Sequence, residues 1–212
     1  MKDMPVFSTE YGVASLTLRE IPYTETAYIR VQSTSDADKL LEECVGFCRA
    51  CGAERIYATG EGTEGYPFHT AIWRMRAEKA GIPESDAALF PVQDRTLEEW
   101  RRIYNEKVKK VPNGAWMTID DGKQMLEKGD GYFVHQDGVL LGIGRVSEDR
   151  IDWLASVFPG AGKAVLGALV HAITGDTVCL TVASANKKAL NLYTQNGFIT
   201  TGEISRWYEI FV

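Results

Sequence analysis

From Arg150 to Phe198 this chain reads as a strand, a glycine-rich turn, a helix, a second strand and a second, tightly bounded helix. That order confines it to the α/β class, with a mixed sheet and helices packed on it. The segments are RIDWLASVF at 150–158, a helix starting near Gly162, TVCLTVA at 177–183, and 184-SANKKALNLYTQNGF-198. In the last of these, Asn186 has the side chain of an N-cap and Gly197 the backbone freedom of a C′ residue. Ala189, Leu192 and Tyr193 fall at i, i+3 and i+4 on one face of that helix. Tyr193 is either core filler or the acid of an active site, and the helical pattern alone leaves both open.

The first half runs in a related order. SLTLREIP (15–22) and TAYIRVQ (26–32) have the pattern of a hairpin, followed by a helix, DADKLLEECVGFCRAC (36–51), and a strand, RIYATG (55–60). A glycine-rich loop, GEGTEG (60–65), leads to a β-like segment, HTAIWRMR (69–76). The second half places strands GYFVH (131–135) and VLLGIGRVS (139–147) ahead of residues 150–158 and ends in a ribbon, FITTGEISRWYEIFV (198–212). Setting Lys39 against Lys163 aligns both helices and both following strands, with Trp73 opposite Trp207. Between the halves, KAGIPESDAALFP (79–91) has the composition of a linker. The second half then gains a strand near ALFPVQ (88–93) and two helices, LEEWRRIYNEKVKK (97–110) and TIDDGKQMLEKG (118–129). The expected organisation is a partial half domain over 1–82 and a complete domain over 88–212.

Charge narrows the partners. The net charge is −6 and the longest basic run is KVKK at 107–110, so the electrostatic footprint of a nucleic-acid binder is missing. An acidic surface suits a cationic small molecule or peptide. The longest apolar-rich run, AVLGALVHAI at 164–173, is far short of a membrane span, and MKDMPVFSTEYG has no apolar signal core. A cytoplasmic protein with no membrane partner is expected. Cys44, Cys48 and Cys51 fall at i, i+4 and i+7, where one helix face can bury them, and C-x-x-C at 48–51 lacks a second pair or a nearby histidine. Packing is expected for these thiols, and no metal.

The turn in 157-VFPGAGKAVLGAL-169 joins a strand to a helix. Gly160, Gly162 and Ala164 let a ligand approach the backbone, and the first helical amides face outward, an arrangement suited to a pyrophosphate. It is not a P-loop, since the Gly-Lys pair is not followed by Ser or Thr, and 160-GAGKAV-165 lacks the third glycine of a dinucleotide fingerprint.

A phosphate-type turn, a helix, a strand and then N-x-x-A-x-x-L-Y-x-x-x-G-F resembles the GCN5-related N-acetyltransferases over most of residues 88–212. The specific portion is Asn186, Ala189, Leu192, Tyr193, Gly197 and Phe198. The resemblance implies acetyl-CoA as acyl donor, no metal, and a monomer or homodimer acting on an amine of a small molecule or peptide. It implies that Gly160, Ala161, Gly162, Lys163 and Ala164 donate N–H groups to the CoA pyrophosphate. Val157 and Phe158 would pair with pantetheine and hold the thioester carbonyl, Asn186 and Ala189 would meet the pantetheine arm, and Tyr193 would protonate the leaving thiolate. Asp152 lies where the family often places a base; strand alternation puts it with Leu154 and Ser156, and Ile151 with Trp153 and Ala155. His171 reads as a packed histidine within its helix. Pro159 stands where the family usually has Gln or Arg; it supplies no N–H and no cation, so a phosphate contact is lost or passes to Lys163. In the first half the equivalent turn, 33-STSDAD-38, has no glycine and carries two carboxylates. That half is read as a degenerate copy that binds no CoA. A catalytically inactive CoA- or metabolite-binding sensor and a structural interaction domain are the competing functions.

Overall fold

The computed structural model describes residues 5–211. In chain order the elements are β1 (Val6–Thr9), β2 (Gly12–Thr17), α1 (Ile21–Thr24), β3 (Thr26–Thr34), α2 (Ala37–Ala50), β4 (Arg55–Thr59) and β5 (Phe68–Glu78). After a 3-10 turn follow β6 (Ala88–Pro91), α3 (Asp94–Val108), α4 (Ile119–Lys128), β7 (Gly131–Gln136), β8 (Val139–Ser147) and β9 (Arg150–Ser156). Then come α5 (Gly162–His171), β10 (Thr177–Ala183), α6 (Lys187–Gln195) and β11 (Ile199–Glu209). The chain forms two compact units, residues 1–72 with 203–212 and residues 73–202. Among the described residues no helix is long and apolar enough to cross a membrane.

In the first unit the strands lie in the order β1, β2, β3, β4, β11. β2 and β3 pair antiparallel, the expected hairpin, and β3 pairs parallel with β4 through α2. α2 buries Leu40, Leu41, Cys44, Val45 and Cys48 in a core with Leu16, Ile29 and Ile56. Its N-terminus is closed by Asp36, whose carboxylate accepts from the Lys39 amide at 3.2 Å.

Three sequence expectations change here. β1 was not anticipated, and β2 runs only from Gly12 to Thr17; Pro22, which cannot donate to a ladder, lies in the first turn of α1. Cys51 is exposed, since the helix has already ended and Cys51 is its C-cap. Cys44 and Cys48 are buried, and burial pushes their thiols up to about 11 and about 12, as inert packing groups.

In the second unit the order is β11, β5, β10, β9, β8, β7, β6. β5 and β11 each have residues in both units. α5 covers one sheet face, with Val165, Leu166 and Leu169 buried among Val134, Val146, Ile151, Val178 and Leu180. His171 ends α5 and is exposed, so it is not the packed residue that the sequence suggested. α3 and α4 cover the other face, where Trp100, Ile103 and Met125 meet Phe133 and Ile143. α3 begins three residues before the expected Leu97, because Gln93 and Thr96 form a capping box ahead of it. Arg145 of β8 donates two 2.9 Å hydrogen bonds to the buried Asp130.

Trp100 has no exposed surface and its Nε1 donates to the Tyr132 carbonyl at 3.0 Å, joining α3 to β7. Trp100→Ala should therefore cost about 3–5 kcal/mol, read by urea denaturation.

Candidate functional site

A cleft of about 420 Å³ lies between the carboxyl end of β9, the N-terminus of α5 and one side of α6. Its origin is an interruption of the sheet. β9 and β10 run parallel, yet only Arg150 and Ile151 of β9 are in register with Cys179 and Leu180 before the strands part. The cause is a β-bulge: Val146 pairs with Ile151 and Arg145 with Trp153, so Asp152 is an extra residue without an opposite. A bulge bends its strand and increases its twist. Beyond it β9 stays with β8, and the N–H groups of Val157 and Phe158 both donate to the Leu141 carbonyl, at 2.9 and 3.1 Å.

This bulge corrects three readings. Ile151 packs in the α5 core while Trp153 and Ala155 pack in the α3–α4 core, so strict alternation fails between them. Asp152 is not brought to the cleft: its Oδ1 accepts from Arg150 Nε at 2.7 Å and its Oδ2 from Ser147 Oγ. With both oxygens engaged it pins the bulge and is not a free base. Val157 packs beneath α3 and α4 and Phe158 is 52% exposed, and their amides serve β8. The strand residues that line the cleft are Leu154, Ala155 and Ser156. With Val157 bonded to β8, antiparallel alternation turns the backbone groups of Leu154 and Ser156 away from β8 toward the opening.

At the second wall, α5 starts without a side-chain cap. Gly160 takes a φ of +82°, open to solvent on the side where a side chain would project. The Ala161 amide donates to the Phe158 carbonyl at 3.2 Å, so it is not the free donor the sequence suggested. The amides of Gly162, Lys163 and Ala164 have no acceptor among the described residues, as expected of a first helical turn. Lys163 and Lys188 are the charged residues lining the cleft. Opposed to a protein charge of −6, they and the helix N-terminus make this a local anion site.

The third wall is α6, whose ends are both fixed. Asn186 accepts from the Ala189 amide at 3.2 Å, and its own side-chain N–H groups stay available on the cleft. At the other end the Gly197 amide donates to Thr194 and the Phe198 amide to the Tyr193 carbonyl, a Schellman motif with Gly197 at φ +85°. The motif packs Phe198 on Tyr193, with ring centroids 5.7 Å apart. Tyr193 is thereby part of the α5 core and also lines the cleft. Its hydroxyl has no hydrogen-bond partner among the described residues. Burial pushes it up to about 12, so it is a proton donor at neutral pH.

Sequence reasoning missed Lys188, Asn191 and Gln195, which line the cleft with Ala189 and Leu192. The signal was there: they recur at i, i+3 and i+7 beside the apolar stripe. Among the described residues no group of three His, Cys, Asp or Glu is placed to hold a metal ion.

No family model and no curated protein matches the sequence. Solved structures do resemble it. A functionally unknown conserved protein from Staphylococcus epidermidis is 12% identical with a TM-score of 0.60, over 98% of this chain and 93% of that one. A GCN5-related N-acetyltransferase from Sphaerobacter thermophilus is 11% identical with a TM-score of 0.59, over 93% of this chain and 76% of that one. A tandem GNAT protein from the clavulanic acid biosynthesis pathway, solved without AcCoA, is 12% identical with a TM-score of 0.54, over 94% of this chain and 78% of that one. At such identities the likeness is one of fold: the chain has the mixed α/β fold of the GCN5-related N-acetyltransferases.

Gly197→Ala would force a β-carbon into the left-handed region that closes α6. The expected loss is about 1–2 kcal/mol by thermal or urea unfolding.

Proposed function

We propose that the chain is an acetyl-CoA-dependent N-acetyltransferase, passing an acetyl group to an amine of a small molecule or peptide by direct attack on the thioester. One observation carries the reading: the parting of β9 from β10 opens a cleft that combines unpartnered helix amides, two lysines and a protonated tyrosine. Acetyl-CoA supplies the activated acetyl group and leaves as the thiol.

The chain's residues divide that work by chemistry. The amides of Gly160, Gly162, Lys163 and Ala164 suit the pyrophosphate, with Lys163 and Lys188 supplying the charge that Pro159 does not. The outward backbone groups of Leu154 and Ser156 suit the amides of the pantetheine arm, taking the part first assigned to Val157 and Phe158. The free N–H groups of Asn186 reach the same arm. As the C–S bond breaks, Tyr193 donates its proton to the departing sulfur and spares the cost of expelling a bare thiolate; the attacking nitrogen gives up one proton as the C–N bond forms, and solvent returns it to the tyrosinate. With Asp152 engaged elsewhere, the amine enters already neutral.

The working domain is proposed to span 88–212, with 1–82 a degenerate copy that binds no CoA. Three features support this. The β3–β4 ladder stays in register over five residues, Thr26–Arg30 with Arg55–Thr59, so that pair is closed where β9 and β10 are open. The Asp36 carboxylate already caps α2. The loop after β4 lies on the same helix end, with Gly62 against Ala37 and the Tyr66 hydroxyl donating to Asp38 at 3.2 Å.

A second reading, a catalytically inactive CoA- or metabolite-binding sensor or interaction protein, is favoured by Pro159 and by a cleft lining that contains no carboxylate or imidazole.

Acetyl-CoA at about 100 times its Kd should stabilise the protein by about 2.7 kcal/mol, seen as a rise in Tm. Gly162→Asp should abolish the rise, because it puts a negative charge at the anion site and crowds Leu192, whose Cδ2 lies 3.3 Å from the added carbon. Calorimetric titration should give one CoA per chain; two would sink the degenerate-copy reading.

Tyr193→Phe keeps the ring and deletes a hydroxyl that no described residue holds. Stability should stay within about 0.5 kcal/mol and CoA affinity should persist, while kcat for amine acetylation falls roughly 10²-fold to 10⁴-fold. Full turnover in that variant returns Tyr193 to the core alone. No thiol release by the unmodified protein across an amine panel, with the CoA shift intact, selects the sensor.

A further inference from the structure

A second cavity lies within residues 73–202, apart from the cleft. It measures about 460 Å³, a common size for a small-molecule site, and is lined by β6, β7, the start of α3 and the β7–β8 turn. Phe90, Phe133 and His135 contribute from the strands and Arg95 from α3. Phe90 pairs with Phe133 and Ala88 with His135, so these side chains share the sheet face that carries α3. The cleft residues Leu154, Leu192 and Tyr193 pack with the α5 core on the opposite face. None of the residues lining this cavity lines the cleft.

Three features of the cavity are unaccounted for by folding. His135 Nδ1 is buried with no hydrogen-bond partner, an uncommon state for a polar atom inside a protein. Phe90 is 52% exposed, held edge-on to His135 at 5.3 Å, with Phe133 at 6.3 Å from the same ring. Arg95 donates Nε to Gln93 Oε1 at 3.0 Å and has no carboxylate partner among the described residues. Exposed at the start of α3 and lining the cavity, its guanidinium can meet an anion there.

The occupant is a small molecule and not an added strand. Val92 donates to the Gly131 carbonyl, so alternate residues of β6 turn to β7 and Pro91 turns outward, where it offers no N–H. A proline at that position blunts the edge against β pairing. Asp137 of the β7–β8 turn also lines the cavity and opposes negative charge there, which leaves Arg95 of α3 as the anion's partner.

We propose that this cavity binds a small ring-bearing monocarboxylate. Its ring packs against Phe90 and Phe133, its carboxylate meets Arg95, and a hydroxyl or N–H on the ring donates to His135 Nδ1 when the exposed Phe90 ring packed on that imidazole shifts. The site stands whether or not the cleft performs acetyl transfer.

The test uses 4-hydroxyphenylacetate, phenylacetate and tyramine as probes, with calorimetry for affinity and amide NMR shifts for location. 4-Hydroxyphenylacetate should bind best, with shifts at residues 88–96 and 133–138. Phenylacetate lacks the donor and tyramine replaces the acid with a cation, so each should bind roughly tenfold more weakly. His135→Phe should remove the advantage over phenylacetate, and Arg95→Gln the advantage over tyramine. The acetyl-CoA thermal shift should survive in both variants, which separates this site from the cleft. The ranking in the unmodified protein is an independent check should a variant fold poorly. The proposal is overturned if none of the probes binds at about 10 mM, if all three bind alike, or if the shifts fall on residues 154–195 instead.

Discussion

The cleft of this protein depends on one extra residue in a strand. Asp152 has no opposite in the β8–β9 ladder, and Arg150 and Ser147 hold its carboxylate in place. Without the bulge β9 would continue beside β10, and the edge that a ligand could pair with would be consumed by the sheet. With it, the outward backbone groups of Leu154 and Ser156 are left for another partner, in a place where water can be displaced by a chain of amides. An aspartate that looks from its position like a catalytic base is thus better explained as the pin of the opening.

Tyr193 shows how one side chain can belong to the core and still line a cleft. The Schellman closure of α6 fixes its backbone and sets Phe198 against its ring, while the hydroxyl is left at the cleft. Burial that stabilises the ring also raises the cost of the phenolate, so the hydroxyl faces the cleft in its protonated form.

The two βαβ segments are a controlled comparison of the same local order. β3–α2–β4 stays paired along its parallel ladder and seals its helix with Asp36; β9–α5–β10 parts after two residues and leaves the helix start open. The difference is local chemistry. A carboxylate satisfies the helix amides from within the chain, whereas Gly160 and Gly162 leave them for an incoming anion.

Much of this was legible in the sequence because it is written at short range. Asn186, Gly197 and Gly160 are demanded by cap and turn geometry, the helices by their apolar period, and the likeness to acetyltransferases by the spacing from Asn186 to Phe198. So the chain order of the elements from β6 to β11 and the place of Tyr193 on α6 could be read directly, while β1 and α1 were not anticipated. What the sequence could not reveal was where strand register slips. Asp152 obeys alternation on paper, and only pairing with β8 shows it to be the extra residue, which moves the free edge from Val157 and Phe158 to Leu154 and Ser156. The buried state of His135 Nδ1 beside Phe90 was hidden for the same reason. Residues 45 positions apart meet only through the β6–β7 ladder, and no local pattern encodes a contact between strands.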